Sequence, residues 1–141
     1  PVTADFICAH GADSKENVRP PWRQAWVCRA IVGQMSAVDP SGRANGPHVL
    51  VVDDDPDVLR AIVRAFERLG ATARAALGSE QAMQILRERT FDAVVVDFHM
   101  RGPNGAWLLR RVRDEHPTTR RYLISGLGYA SLAYHLEPGL V

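Results

Sequence analysis

"HVLVVDDDPDVLRAIVRAFERLG", residues 48–70, changes character twice within a few positions, and those changes decide the fold. From His48 to Val52 the side chains are apolar and mostly β-branched, with no polar break before Asp53. A strand with one wet face would alternate, so an unbroken run predicts a strand covered on both faces, as in a parallel sheet. From Asp55 onward the period is helical. Asp55 suits the cap, Pro56 suits the first turn, and Val58, Leu59, Ile62, Val63, Phe66 and Leu69 make one apolar stripe that Gly70 ends. Between strand and helix stand Asp53, Asp54 and Asp55, three like charges in a row that need a reason to be held together.

The same alternation continues outward. "ATARA" predicts a short strand, and Ser79 is a candidate cap for a helix through "EQAMQILRER", with Ala82, Met83, Ile85 and Leu86 as its apolar side. "FDAVVVD" predicts a strand ending in Asp97. The loop "FHMRGPNG" leads to a helix over "AWLLRRVRDEH" that Pro117 closes, with Trp107 expected on its buried side. "RRYLISG" predicts a fourth strand and "YASLAYHL" a fourth helix. Strand–helix–strand connections are right-handed, so the expected class is α/β, a parallel sheet with helices on both faces. In such sheets the carboxyl ends of the strands share one edge, where ligands bind. That rule gathers Asp53 and Asp54, Asp97 and Ser125.

Composition sets the limits. The 141 residues carry 17 basic and 16 acidic side chains, so bulk charge offers no attraction for nucleic acid or an anionic membrane surface. No apolar run approaches the roughly 20 residues of a membrane span, and the start lacks a signal-peptide order; a cytoplasmic protein is expected. Cys8 and Cys28 lack metal-ligand spacing and read as free thiols. Residues 1–47 show no sustained period and end in "AVDPSGRANGP", predicting an irregular leader and linker, with the domain over 48–141. Within the leader, "WRQAWVCRAIVGQM" brings Trp22, Trp26, Arg29 or Ala30, and Val32 or Gly33 to helical spacing, which allows one amphipathic helix. Because Met35 directly precedes the linker, residues 1–34 are read either as the end of an upstream segment or as non-native translation.

Taken singly, each site residue has a bland reading. Acids favour helix starts, Asp97 can form a turn, and Ser125 before Gly126 fits any loop. Taken together, carboxylates from two strand ends and a hydroxyl from another meet in one crevice. Clustered carboxylates must perturb one another or take up a cation, and an all-oxygen set suits a hard ion such as Mg²⁺. Such an ion beside a carboxylate oxygen and a hydroxyl is equipped to handle a phosphoryl group.

"HVLVVDDDPDVLRAI", "FDAVVVDFHMRGPNGAWLL" and "YLISGLG" resemble, in order and spacing, the receiver domain of two-component response regulators over about residues 48–130. The resemblance implies a flavodoxin-like doubly wound parallel sheet. Counted from His48 its strand order is 2-1-3-4, with the fifth strand missing because the chain reaches Val141 first. It implies that Asp97 is the phosphoacceptor. Asp54 and Asp97 would ligate Mg²⁺ directly, Asp53 through water, and the backbone carbonyl of His99 would complete the protein ligands. Ser125 matches the hydroxyl that bonds the phosphoryl group, and Gly105 the glycine closing the phosphorylation loop. The implied partners are a histidine kinase or phosphotransfer protein, with a homodimer or another chain completing the sheet. Two departures stand out: Arg101 follows Met100 where the family usually has proline, and the one lysine, Lys15, lies in the leader. Two rival readings are a degenerate receiver acting by contact alone, and a phosphatase of the haloacid-dehalogenase type. The latter would use Asp53 and Asp55 as its DxD pair, although Asp57 stands where that motif needs threonine or valine.

Overall fold

The computed structural model of the chain describes residues 6–8, 21–36 and 46–125. Strand β1 is Phe6–Cys8 and helix α1 is Pro21–Ser36. After them β2 (His48–Asp53), α2 (Pro56–Arg68), β3 (Thr72–Leu77), α3 (Ser79–Glu88), β4 (Ala93–Asp97), α4 (Gly105–Glu115) and β5 (Arg120–Ser125) alternate. All strand pairs are parallel, in the order β1-β5-β4-β2-β3. Counted from His48, the last four form the expected 2-1-3-4 arrangement. The expected helix over "YASLAYHL" lies outside the described residues.

The unbroken apolar run of β2 has the predicted cause, since residues 49–53 are all buried. Alternate side chains serve two cores. Val49, Val51, Val95 and Tyr122 face α1 and α2, where Ile31, Leu59, Ile62 and Phe66 cover them. Leu50, Val52, Val94, Val96 and Leu123 face α3 and α4, against Met83, Leu86, Leu108, Leu109 and Val112. Helix α2 follows its signals closely. The Asp55 side chain accepts from the backbone N–H of Asp57 at 2.9 Å and of Val58 at 3.5 Å. Gly70 leaves the helix at φ +86°, a conformation open to glycine. At the amino edge Asp92 ties three strands: its Oδ2 accepts from His48 N at 2.8 Å, and its carbonyl accepts from Arg120 N at 3.0 Å.

Three expectations need correction. Ser79 is not the cap of α3. That position falls to Gly78, and the buried Ser79 hydroxyl instead donates to the Pro103 carbonyl at 2.8 Å, which satisfies its polar atom inside the fold. Trp107 is 37% exposed, because the inward stripe of α4 runs through Gly105, Ala106, Leu108, Leu109 and Val112. Its ring carries the Arg111 guanidinium at 5.7 Å instead.

The third correction concerns the leader, where an irregular segment allowing one amphipathic helix, outside the domain, is expected. It contributes β1 and α1, and β1 pairs along the edge of β5, Phe6 with Leu123, Ile7 with Ile124 and Cys8 with Ser125. Helix α1 buries Val27, Cys28, Ile31 and Met35 beside α2, and the Tyr122 hydroxyl donates to Gln34 Oε1 at 2.9 Å. The edge beside β5, expected to lie open, is therefore covered by the chain's own earlier residues. The reason is physical: an unpaired strand edge and an apolar helix flank are both costly to leave in water.

Candidate metal centre at the carboxyl edge

Parallel strands put the ends of β2, β4 and β5 at one edge, and the turns leaving them set the site. Asp53 closes β2, with its carbonyl accepting from Gly78 N at 3.2 Å and its Oδ1 from Asp55 N at 3.0 Å. The second bond folds the acidic run back on itself. It directs Asp53 inward while Asp55 turns to cap α2, so the three adjacent acids have different tasks. Asp54 is exposed, and its Oδ2 accepts the backbone N–H of Arg101 at 3.1 Å, joining the β2–α2 turn to the β4–α4 loop. Asp97 closes β4 and is buried like Asp53.

Carboxylate oxygens of Asp53, Asp54 and Asp97 lie within 4.8 Å of one another. Oδ1 of Asp97 is buried and accepts no hydrogen bond, while other contacts engage the residue. Two carboxylates that close repel by about 3 kcal/mol at an effective dielectric near 20, a large part of a domain's net stability. A divalent cation turns that repulsion into attraction. The donors are all oxygen, which suits a hard ion of the Mg²⁺ kind.

The loop after β4 is fixed by its glycine. Phe98 N donates to Ile124 O at 3.0 Å and Gly105 N to Phe98 O at 3.1 Å. A Cβ on Gly105 would stand 2.5 Å from the Asp97 carbonyl oxygen and 2.9 Å from Phe98 Cα, both backbone atoms that cannot swing away. Gly105→Ala is therefore expected to cost about 1–3 kcal/mol, typical of overpacking. It should also displace Asp97, lowering both the thermal midpoint and Mg²⁺ affinity measured by calorimetry. An unchanged midpoint would disprove the close approach.

Of the predicted site residues, Asp53, Asp54 and Asp97 come together. The main chain of Ser125 ends β5 next to the register pair Asp97 and Ile124. His99 lies just past Asp97, its ring edge-on to Phe98 at 5.0 Å. Two ties escaped the sequence reading, the Arg101–Asp54 bond and the Ser79–Pro103 bond, because both depend on loop shape rather than periodicity. Elsewhere, Cys28 is buried on α1, and burial pushes its thiol up to about 12 with slight relief from its own backbone, so it is an inert packing group. Among the described residues, no helix is long and apolar enough to cross a membrane.

Comparison with known proteins points the same way. Sensor kinase CckA of Brucella abortus is 34% identical over 102 residues, 71% of this chain and 10% of that protein. The sensory/regulatory protein RpfC of Xanthomonas campestris is 32% identical over 80 residues, 57% of this chain and 11% of that one. The chain thus spans about a tenth of the length of these curated relatives. The signal receiver domain of an HD domain-containing protein from Pseudomonas fluorescens superposes with a TM-score of 0.61 at 28% identity, covering 67% of this chain and 77% of that one. Residues 49–136 match the sequence model of the response regulator receiver domain. With its 2-1-3-4 strands and its acids at the carboxyl edge, the chain belongs to the response regulator receiver domain family, the signalling switches of two-component systems.

Proposed function

We propose that this domain accepts a phosphoryl group on Asp97 from a phosphohistidine of a kinase or phosphotransfer protein, and that the modification switches a protein-binding surface. The observation carrying this reading is the gathering of three carboxylates from two strand ends within 4.8 Å. Asp54 and Asp97 would hold Mg²⁺ directly, Asp53 through water, and the His99 carbonyl would complete the set. When bound, the ion supplies positive charge against the phosphoryl oxygens.

The chain's own residues do the rest. A carboxylate oxygen of Asp97 attacks phosphorus, an O–P bond forms as the N–P bond breaks, and the electron pair leaves on the imidazole nitrogen, which takes up a proton. Burial of Asp97 limits the access of water to the acyl phosphate, which prolongs its life. Asp53, tied to Asp55 N, keeps its charge aimed at the crevice. Ser125, which matches the family's hydroxyl residue, would donate its hydroxyl to the phosphoryl group. The added charge then biases the strand end it joins, a local electrostatic change with a wider readout.

Incubation with acetyl phosphate tests this. Intact mass should show one phosphoryl adduct that depends on Mg²⁺ and maps to Asp97 in the borohydride-reduced peptide. Absence of the adduct, with Mg²⁺ and beryllofluoride also failing to bind, would favour a domain that signals by contact alone.

A further inference from the structure

Three carboxylates and a divalent ion leave about one negative charge at the edge, and the acyl phosphate, a dianion in place of the Asp97 carboxylate, adds about one more. A further cation is needed. Across the described strand-end turns, residues 53–57, 77–79 and 97–104, the sequence holds one lysine or arginine, Arg101. Its backbone is fixed from two sides. Arg101 N donates to Asp54 Oδ2 at 3.1 Å, and two residues later the Pro103 carbonyl accepts from Ser79 Oγ at 2.8 Å, with Gly102 turning the chain between them at φ +75°. The side chain is exposed and, among the described residues, makes no ion pair. Some exposed arginines are engaged, Arg60 with Asp57 and Arg111 with Glu115 at 2.8 Å, but what sets Arg101 apart is its place in the loop beside Asp54.

We propose that Arg101 is the phosphoryl-binding cation of this site, its guanidinium grasping the equatorial oxygens once Asp97 is modified. The proposal rests on the phosphoacceptor reading above. A guanidinium fork matches phosphate oxygens in a way a single ammonium does not. Before modification the same charge stands beside the acids and competes weakly with the metal. Arg101 therefore has opposite effects on the two ligands. It strengthens binding of the anion and weakens binding of the cation.

Calorimetry of the whole chain with Mg²⁺ alone, and with beryllofluoride at saturating Mg²⁺, separates the outcomes. Arg101→Ala is expected to bind beryllofluoride about three- to tenfold more weakly, the scale of a charge-assisted contact discounted for exposure. Its Mg²⁺ affinity should be equal or up to about threefold tighter. Arg101→Lys should fall between, keeping the charge and losing the fork. Unchanged beryllofluoride affinity in Arg101→Ala would overturn the proposal. So would a parallel loss of both ligands, which would mark the residue as a loop support only. If wild type fails to take up beryllofluoride while Mg²⁺ binds, the phosphoacceptor reading itself fails, and the role of Arg101 goes with it.

Discussion

Asp97→Asn is expected to abolish Mg²⁺-dependent labelling by acetyl phosphate and, in the absence of the metal, to make the protein more stable than wild type. The first effect follows from chemistry. Asparagine keeps the shape of the side chain and offers no anionic oxygen to attack phosphorus. The second follows from the packing of like charges. Asp53 and Asp97 are both buried, with carboxylate oxygens within 4.8 Å of each other. Neutralising one removes up to about 3 kcal/mol of repulsion, and solvent and nearby dipoles reduce this to roughly 1–2 kcal/mol. Because the metal stabilises whichever form binds it, adding Mg²⁺ should raise the wild-type melting point and scarcely move that of Asp97→Asn. Asp53→Asn provides the contrast: metal affinity should also drop, but the acceptor remains, so slow labelling at high Mg²⁺ should persist. Labelling of Asp97→Asn at the wild-type rate would place the phosphoacceptor elsewhere.

How far the sequence carries depends on which forces are local. The strand over His48–Asp53 and the stripe of α2 are legible because their burial is written into periods of one and 3.6 residues, with Asp55 and Gly70 marking the ends. The carboxylate cluster is legible one step further on, since parallel strands oblige Asp53, Asp54 and Asp97 to share an edge. Where the outcome depends on the partner surface, the pattern misleads. Trp107 is apolar and helical, yet α4 presents Leu108 and Leu109 inward and leaves the indole against Arg111. In α1 the spacing of Trp22, Trp26, Arg29 or Ala30 and Val32 or Gly33 allows a helix, whereas among its described side chains the buried ones are Val27, Cys28, Ile31 and Met35, with Ala30 and Val32 only partly covered. A strand of three residues has no period to detect. Phe6–Cys8 becomes a strand only through pairing with residues 123–125, more than a hundred positions away. Arg101 lies between these cases: the sequence places it in the loop, while its anchoring to Asp54 needs the turn at Gly102.

The covered edge beside β5 leads to the other large effect. Removing residues 1–45 should lower stability by several kcal/mol, or unfold the domain, and should make it prone to self-association. Val27, Ile31 and Met35 of α1 contribute about 1.5–3 kcal/mol each on burial, and only part of this is offset by freeing the segment's backbone. Their loss would also bare Tyr122 and the pairing edge of β5, a surface that invites other strands. Since a shortened chain can fail for several reasons, a single substitution is sharper. Ile31 is fully buried between α2 and the sheet, so Ile31→Asp places an unpaired charge there and is expected to cost more than about 3 kcal/mol. Tyr122→Phe, which loses the bond to Gln34 alone, should cost about 1 kcal/mol. Urea unfolding followed by far-ultraviolet circular dichroism reads all three. A docked segment predicts midpoints in the order wild type, Tyr122→Phe, Ile31→Asp, with the slope reduced for the shortened chain because it exposes less new surface. A segment outside the native fold predicts a midpoint unmoved by Ile31→Asp, in which case the edge of β5 would be open to a partner after all.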